Sequence, residues 1–594
     1  MEDKRTIIAF VLIGLILLLM PYYYELTGVA PATPPIPEEA HQPEKRIEPA
    51  QPQSEPKSEP QSKFGAEGLL QAPTEAVRGL LPPPVLEVST AIPSTTALSP
   101  TQITVSTPKQ ELVFSSLGGS LVSARLADFE KDEGEAVELV PPGSRQLTVQ
   151  VRSETSDREL DLSEVQFVPD SETIRLQPGQ TRQLRMVADL GNGQKIEKTF
   201  RFDADRHAFD LDISCTGCTD QELLFVNWSR GIQRAEKNHS VDFEAVRVMA
   251  YVNESKEELA GEEEPQEWET KGNLKWAGVR NKYFLCAVIP RNDDRHWVEI
   301  GSQAGYVEVD DGGRGRSNGY DWPDLNFGIG ARASATGALA TTVYVGPLDL
   351  EQLEGYGLEL ERSMDLGFPV VRDIARVLLL VFVAAHDFVP NYGMLIVLFA
   401  LVVKIVVYPL THKSYESASK MQAIQPKVAA LKEKYKDDSQ RLSKETMSLY
   451  KKEGVNPIGG CLPLLLQMPI FIALYQVFRN TIELRHAPFV GWITDLSVPD
   501  ELMVMGFSLH VLPLLMSAAM FFQSKMTMKD PKQAMLVYMM PVVMVFIMWD
   551  FSSGLVLYWT VFNVLTIGQQ YLTNHLRNVP EPVTVQPPPK KRSK

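Results

Sequence analysis

Five apolar segments in the second half of this 594-residue chain limit its fold more than any other feature. Most are close to the length that a helix needs to cross the roughly 30 Å hydrocarbon layer of a bilayer. The segments are 392–410, 458–478, 507–523, 534–549 and 554–571. Because hydrocarbon offers no hydrogen bonds to backbone groups, such segments cross it as helices. The sequence therefore predicts an α-helical membrane domain in this region.

Charge separates the chain into two parts of opposite sign. Residues 1–360 contain 34 Lys and Arg against 57 Asp and Glu, whereas residues 361–594 contain 24 against 17. The corresponding net charges are −23 and +7, which together give the −16 of the whole chain. An acidic polar part joined to a basic apolar part excludes a single soluble globule. The acidic part also argues against a nucleic-acid-binding domain there, since such domains carry basic surfaces.

The N-terminus carries a further apolar segment, residues 6–20, which follows two basic residues and precedes three tyrosines. This pattern is that of either a cleaved secretory signal or an uncleaved membrane anchor. Tyrosines are typical of a membrane interface, so we favour an anchor over 1–24 with its N-terminus in the cytoplasm. Residues 25–100 are rich in Pro, Glu, Gln, Ser and Thr, and this composition predicts a linker.

Residues 101–350 show short runs of alternating apolar and polar residues, separated by turns that contain glycine. Examples of the runs are Gln146-Leu-Thr-Val-Gln-Val, Phe209-Asp-Leu-Asp-Ile and Thr341-Thr-Val-Tyr-Val. A period of two places the apolar side chains on one face of a strand, and frequent turns suit antiparallel neighbours. The pattern predicts a large antiparallel β-sandwich domain.

Positive charge predicts how the membrane segments are oriented. The connecting segment 411–457 contains ten Lys and Arg residues, and the tail 576–594 is also basic. The opposite connection, 479–506, contains two, Arg479 and Arg485. Since basic loops stay in the cytoplasm, we expect both termini there, the β-sandwich outside, and six transmembrane helices including the anchor.

Two helical features accompany the membrane core, 389–575. The apolar stretch in residues 367–388 is too short to cross the bilayer, so it predicts an interfacial amphipathic helix along the outer surface. Residues 411–457 predict a cytoplasmic helical hairpin, with helices over 415–436 and 440–452 and a capping turn, Asp437-Asp438-Ser439, between them. The hairpin is either a solvated connector or a docking platform.

Lys404 lies inside the apolar segment 392–410, about 9 Å of helix rise from Leu410 at its cytoplasmic end. A charge at this depth costs a few kcal/mol unless the side chain reaches the interface or faces water. The distance is near the limit of a lysine's reach, and we therefore favour a water-facing, functional lysine. Other polar residues inside the segments either bond neighbouring helices or line the same wet cavity: Gln467, Gln523, Asn563, Gln569 and Gln570.

Other kinds of site have little support in the sequence. Cys215 and Cys218 form a lone CxxC motif, which indicates a local disulfide or two free thiols rather than a redox or metal centre. No spacing joins His207, His239 or His296 to a carboxylate as an acid–base pair, which argues against an enzyme that acts on sugars. The membrane segments lack an interior Asp or Glu, which argues against an ion-coupled transporter. We expect no cofactor, no metal and no catalytic residues.

Ordered motifs run through residues 391–570. They include Asn391-Tyr-Gly, Tyr408-Pro-Leu, Met421-Gln-Ala-Ile-Gln-Pro-Lys, Val455-Asn-Pro-Ile-Gly-Gly-Cys-Leu-Pro, Gln467-Met-Pro-Ile-Phe-Ile-Ala-Leu-Tyr, Trp492-Ile-Thr-Asp-Leu and Gly554-Leu-Val-Leu-Tyr-Trp. With these motifs the region is strongly similar to the YidC membrane protein insertases, relatives of the mitochondrial and chloroplast insertases. Leu117-Gly-Gly-Ser and Val343-Tyr-Val-Gly-Pro resemble the start and end of that family's periplasmic domain.

The resemblance implies a hydrophilic groove that opens to cytoplasm and lipid and is closed on the outer side. It places Lys404 where the family carries an arginine, a change that keeps the positive charge but loses the planar donor fork. It assigns to the groove Lys404, Gln467, Gln523, Tyr558 and Trp559, and to the apolar surface contacted by substrates Met468 and Phe471.

The resemblance also implies a function and a location. Members of the family insert proteins into the bacterial inner membrane, alone or with the Sec translocon, and help them to fold as chaperones. The implied partners are nascent membrane proteins, the Sec translocon, the ribosome with the signal recognition particle pathway, and the lipid bilayer. We expect a multi-pass inner-membrane protein with a periplasmic domain.

Overall fold

The computed structural model of the chain describes residues 100–576, apart from 132–133, 157, 192, 237–238, 262–263, 293–294, 306–320, 334–338, 437, 456–461 and 528–533. The predicted anchor 1–24, the linker up to residue 99 and the tail after residue 576 lie outside the described residues. Strands form most of the first part of the described chain, and helices form most of the second part, after about residue 350.

The first part is built from three sheets. Its elements are β1 Gln102–Ser106, β2 Gln110–Ser115, β3 Ser120–Glu130, β4 Ala136–Glu138, β5 Thr148–Ser153, β6 Glu159–Asp161, β7 Val168–Pro169, β8 Thr173–Arg175, β9 Thr181–Gly191, β10 Gln194–Asp203, β11 Ala208–Thr216, β12 Glu222–Trp228, α1 His239–Ala245, β13 Arg247–Val252, β14 Ser255–Ala260, β15 Gln266–Gly272, β16 Leu274–Arg280, β17 Phe284–Pro290, β18 His296–Gly305, β19 Asp321–Arg332 and β20 Leu339–Pro347. The strand orders are β4-β3-β2-β1-β8, β14-β13-β16-β17-β20-β11-β10-β9-β7 and β15-β18-β19-β12-β5-β6. Paired strands are antiparallel, as predicted, except that β1 and β8 run parallel.

The middle of the nine-stranded sheet is buried on both faces. In β17, Phe284, Cys286 and Val288 belong to the main core of the β-domain, whereas Leu285 and Ile289 belong to a second core that also contains the helices. A strand covered on both sides needs no alternation of apolar and polar residues, which explains the continuous apolar run of β17. The helical part is therefore packed on the outer face of this sheet.

Two short helical elements lie on that face, α2 Leu350–Gly355 and a 3-10 turn Leu360–Ser363. Between them, the ring of Tyr356 packs against Tyr344 of β20, with 5.4 Å between centroids. The Tyr251 hydroxyl of β13 donates a hydrogen bond to Glu359 at 3.1 Å. These contacts join the end of the β-domain to the chain that leads into the helices.

Seven longer helices form most of the remaining described chain, and the first of them covers the predicted interfacial segment. They are α3 Pro369–His386, α4 Tyr392–Lys434, α5 Ser439–Lys452, α6 Leu462–Asn480, α7 Val511–Thr527, α8 Ala534–Met548 and α9 Ser553–Leu576. Helix α3 corresponds to the predicted segment 367–388, and it buries Val371, Ala375, Leu379 and Phe382. Its opposite face is also apolar but exposed, as at Val377 and Val381.

Two predicted boundaries are wrong. Helix α4 is one helix of 43 residues that continues through Pro409 and Pro426, whereas the sequence predicted a span that ends at residue 410 and a separate hairpin helix over 415–436. A proline removes one backbone hydrogen bond and bends a helix, but strongly helical turns on both sides carry the helix past it. The segment predicted to span from residue 507 begins instead with strand Phe507–Leu509, so its helix starts at Val511.

The helices differ in whether their apolar stretches are long enough to span a membrane. Among the described residues, one helical stretch, Tyr392–Pro409, combines 18 residues with a mean hydropathy of 2.2. The apolar stretches Val511–Met526 and Val537–Met548 are shorter. The described chain therefore contains one helix of full spanning length by these measures, where five spans were predicted.

The segment 481–500, which joins α6 to α7, supplies the cap of α7. The Asp500 carboxylate accepts hydrogen bonds from the backbone N–H groups of Val511 and Leu512 at 2.8 and 2.9 Å. The same oxygen accepts a third bond from the indole N–H of Trp492 at 2.8 Å. One carboxylate therefore satisfies the first turn of α7 and fixes the path of the segment.

The 481–500 segment also holds the starts of α4 and α9. The N–H of Ser553, the first residue of α9, donates to the Val498 carbonyl at 2.7 Å. Asn391 caps α4 by accepting from the N–H of Met394 at 2.9 Å, and its amide donates to the Pro488 carbonyl at 3.4 Å. Three helices are thus anchored at the same end by one segment.

The same segment is joined to the β-domain by buried charge and apolar contact. Arg485 Nε donates to Glu236 Oε1 at 2.6 Å, and the two side chains are 4% and 10% exposed. Arg479, near the end of α6, pairs with Glu244 at 3.3 Å. Ile482 lies within the main core of the β-domain. Because a buried ion pair is costly to break from one side, these contacts fix the segment on the β-domain.

A buried lysine stabilises two turns in the β-domain. Lys198 of β10 is fully buried, and its Nζ donates to the carbonyls of Gly118, Gly119 and Leu147 at 2.7, 3.0 and 2.7 Å. All three carbonyls belong to residues with positive φ, 71°, 53° and 61°. The lysine therefore holds two irregular turns, and burial lowers its pKa to about 7.

We predict that Lys198→Met lowers the free energy of unfolding by about 3 kcal/mol, because three carbonyls lose their donor. Between about pH 7 and the ordinary lysine pKa near 10.4, the unfolded chain keeps a proton that folded Lys198 has released. Raising the pH through this range therefore stabilises the wild-type fold, and this gain is absent in Lys198→Met. Denaturant unfolding of the detergent-solubilised protein at pH 7 and pH 9 measures both effects.

Lys195→Met provides the matched control, because this lysine lies on the same strand, is exposed and forms a surface ion pair with Asp189. Its effect is expected to stay below about 1 kcal/mol. Parallel pH dependences for the wild type and Lys198→Met would contradict the assignment.

Candidate functional site

Lys404 is a buried cation within α4. Its side chain is surrounded by apolar helix positions, and the residue is 7% exposed. The ammonium Nζ donates to Thr566 Oγ1 of α9 at 2.7 Å and lies 4.5 Å from the centroid of the Phe562 ring. The side chain therefore extends sideways to α9. Its ammonium finds its partners there and does not snorkel toward the helix end.

Helices α4 and α9 lie side by side in the same direction. A Cβ built on Gly554 would lie 3.3 Å from the Ile396 side chain, the rings of Phe399 and Tyr558 are 6.2 Å apart, and Lys404 contacts Thr566. Lys404 lies 12 residues after Tyr392 and Thr566 lies 13 residues after Ser553. Both are thus roughly 18–20 Å along their helices, so the contact is far from either start.

The groups around the ammonium are neutral. Thr566 Oγ1 accepts from Lys404 and donates its own proton to the Phe562 carbonyl at 2.7 Å, and the Phe562 ring offers its negative face. A hydroxyl and a ring stabilise a positive charge but do not cancel it. Because charges are weakly screened in apolar surroundings, the positive potential of Lys404 persists beyond its contacts.

Polar atoms continue along α9 next to this charge. The Tyr558 hydroxyl is buried, and the Gln467 side chain of α6 lies near it. The Asn563 amide nitrogen is also buried, and neither atom has a hydrogen-bond partner among the described residues. Buried polar groups normally find partners, so these two atoms mark a place that suits water or a polar chain.

The structure brings some predicted site residues together. Trp559 and Phe471 form an edge-to-face pair with 4.5 Å between centroids, which joins α9 to α6. Tyr558 is linked to the Lys404 contact through the Phe562 ring, 5.9 Å away. Met468 is 41% exposed on α6, and Gln523 is half-buried on α7.

Sequence reasoning missed Thr566 and Phe562, the two residues that contact the ammonium. Their spacing of four places them on one face of a helix, and Thr566 is nearly as deep in α9 as Lys404 is in α4. Equal depth in two apolar segments was a signal available in the sequence. It indicated contact only once the two helices were known to be neighbours.

Other candidate groups lie in the β-domain. Cys215 and Cys218 form a disulfide, one of the two alternatives that the CxxC motif left open. The described histidine rings contact amide oxygens, His207 with Gln352 at 2.9 Å and His296 with Asn292 at 3.1 Å.

Two protein-family profiles match the chain. One, described as 60Kd inner membrane protein, matches residues 384–580, and the other, described as YidC periplasmic domain, matches residues 102–381. A membrane protein insertase YidC from Pelobacter propionicus is 36% identical over 514 residues, which are 83% of this chain and 90% of that protein. The chain belongs to the YidC family of membrane protein insertases.

A second relative agrees with this assignment. The membrane protein insertase YidC of Geobacter sulfurreducens is 32% identical over 480 residues, 79% of this chain and 85% of that protein. A crystal structure of an active YidC insertase with its first transmembrane domain resolved aligns at 18% identity and a TM-score of 0.35, over 80% of this chain and 93% of that chain. The YidC resemblance drawn from the motifs is confirmed, together with a YidC-type periplasmic domain and a helical core.

We predict that Thr566→Val lowers stability by about 1.5–3 kcal/mol, because it removes the hydroxyl acceptor of a buried ammonium while keeping the side-chain shape. Thr560→Val is the matched control. Thr560 also lies on α9 and donates to the carbonyl four residues earlier at 2.7 Å, but it does not contact Lys404. Thermal unfolding of the two purified variants measures the difference, and equal losses would refute the assigned contact.

Proposed function

We propose that this YidC-family chain inserts proteins into the bacterial inner membrane through a hydrophilic groove centred on Lys404, and that it helps its clients to fold as a chaperone. The observation that carries the proposal is a buried ammonium whose partners are a hydroxyl and an aromatic ring. Such a charge attracts acidic residues in the polar tail of a client. The attraction acts through weakly screening surroundings, so the tail is drawn inward before any direct contact.

The proposed topology has six transmembrane helices, with the anchor 1–24 followed by spans in α4, α6, α7, α8 and α9. Contacts between the helices support alternating directions. Phe471 packs on Trp559 and Tyr475 on Phe551, so α6 runs opposite to α9, as alternation requires. Both termini and the α4–α5 hairpin are then cytoplasmic, the β-domain is periplasmic, and α3 lies along the outer membrane surface.

A groove that ends inside the membrane lowers the cost of moving a polar tail. Stripping water from polar groups in hydrocarbon costs several kcal/mol each when no partner replaces it. The buried Tyr558 hydroxyl and Asn563 amide provide polar positions on α9, the helix that Lys404 contacts. On the outer side, the 481–500 segment ties together the starts of α4, α7 and α9. The tail would therefore cross a shortened apolar distance rather than an open channel.

The apolar part of a client would leave through the lipid-facing side of α6 and α8. Tyr538, Val542 and Phe546 of α8 recur at helical spacing and are 60%, 55% and 76% exposed. Met468 of α6 is also exposed, and Phe471 packs behind it against Trp559. Burial of client apolar surface in lipid supplies the driving force, at roughly 25 cal/mol per Å². The process needs no cofactor, nucleotide or covalent step.

The cytoplasmic hairpin is the proposed docking platform for a ribosome and the signal recognition particle pathway. Helices α4 and α5 are joined by an ion pair between Lys427 and Glu453 at 2.7 Å, and α5 begins at a cap formed by Asp438. The rest of the hairpin is rich in exposed lysines, which suit an acidic partner. For clients with long outer domains, we propose cooperation with the Sec translocon.

We predict that Lys404→Met reduces insertion of a single-span client with a short acidic outer tail by about tenfold or more, which corresponds to roughly 1.4 kcal/mol of lost attraction. Lys404→Arg keeps the charge and is expected to retain most activity. The measurement is protease protection of the client tail in proteoliposomes that contain the purified chain.

Two comparisons make the result specific to charge in the groove. Lys434→Met removes an exposed lysine from the end of the same helix and is expected to change insertion less than twofold. A client with a neutral tail should be insensitive to Lys404→Met. Equal insertion by the wild type and Lys404→Met would remove Lys404 from the mechanism, and no insertion above protein-free vesicles would contradict autonomous insertase activity.

A further inference from the structure

A small apolar β-hairpin precedes α7. Strands β21 Leu502–Val504 and β22 Phe507–Leu509 pair in antiparallel register, with Leu502 opposite Leu509 and Val504 opposite Phe507. The two turn residues, Met505 and Gly506, both have positive φ, 53° and 84°. Two-residue turns of this kind match the twist of paired strands, so the hairpin has a defined shape.

The base of the hairpin is held by Asp500. Its carboxylate accepts from the N–H groups of Val511 and Leu512, and its carbonyl contacts the ring Nδ1 of His510. The His510 ring packs edge-on against Trp549, the residue that follows α8, with 4.7 Å between centroids. Residues 501–510 are therefore held in place at their base, next to the start of α7.

The tip of this hairpin is apolar and exposed. Met503, Met505 and Phe507 are 64%, 96% and 77% exposed, and residues 502–509 contain no charged side chain. Water-facing surfaces rarely present such a group of large apolar side chains. Because the tip carries no charged side chain, it offers no ionic contact to a charged partner.

Helix α7 is short for a membrane span. Its 17 residues give a length of roughly 25 Å, compared with about 30 Å of hydrocarbon. A three-residue strand adds about 10 Å when extended. The hairpin and α7 together therefore have enough apolar length to match the bilayer.

We propose that the hairpin 502–509 inserts into the outer leaflet of the bilayer and completes the apolar height of α7. The inference rests on the proposed function in one respect, that α7 spans the membrane. Lipid is the occupant we assign because the hairpin continues directly into α7, whose Leu514 and Leu515 are also exposed and apolar. A short span beside an apolar extension reduces the mismatch that would otherwise thin the bilayer there.

The test places an environment-sensitive NBD label at position 505 of the full chain in lipid nanodiscs. Met505→Cys is labelled in a chain with Cys286→Ala and Cys461→Ala, while the Cys215–Cys218 disulfide remains closed. Leu515→Cys on α7 is the membrane reference, and Gln177→Cys, exposed in the β-domain, is the water reference. Quenching by iodide reports water, and quenching by doxyl-labelled phospholipids reports lipid.

We expect the label at 505 to be quenched by doxyl lipids as at 515, and severalfold less by iodide than at 177. Phe507→Cys should behave in the same way, which guards against a local disturbance at 505. Strong iodide quenching at 505 and 507 would overturn the inference, as would protection from iodide without lipid quenching, which identifies a protein partner. Iodide quenching at 515 would instead refute α7 as a membrane span.

Discussion

The helical part of this YidC-family chain depends on the hydrogen bonds made by the 481–500 segment. Helix starts leave backbone N–H groups without partners, and near a membrane such groups are expensive to leave unsatisfied. Asp500 and the Val498 carbonyl satisfy the starts of α7 and α9, while Arg485 pairs with Glu236 of the β-domain. One segment thus fixes the helices to each other and to the β-domain.

This arrangement makes the two ends of the helical bundle unequal. At the end held by the 481–500 segment, the starts of α4, α7 and α9 are capped, and Arg485 Nη2 is buried without a hydrogen-bond partner among the described residues. Deeper in the bundle, the Tyr558 hydroxyl and the Asn563 amide lack partners among the described residues, and Lys404 has neutral ones. In the mechanism proposed above, the interior polar atoms are the ones that an entering polar chain would meet.

Local sequence patterns predicted much of this structure, but they did not predict which helices are neighbours in space. Strand alternation, the 367–388 helix and the depth of Lys404 follow from side-chain order along the chain. The unbroken α4 depended on helical turns that outweigh Pro409, and strand Phe507–Leu509 depended on a turn with positive φ at Met505. Thr566 became recognisable only when α4 and α9 were placed side by side, since pairing of helices is set by packing of the whole bundle.

The choice of lysine at position 404 follows from the number of acceptors around it. An arginine brings five N–H donors in a rigid fork, whereas the observed pocket offers one hydroxyl and one ring face. A lysine ammonium, compact and on a flexible stem, is satisfied with fewer directed partners. In the mechanism that we propose, Lys404 would act as a point charge that attracts a carboxylate without binding it in a fixed geometry. Weak and undirected attraction would suit the proposed mechanism, in which a client tail has to be released on the other side of the membrane.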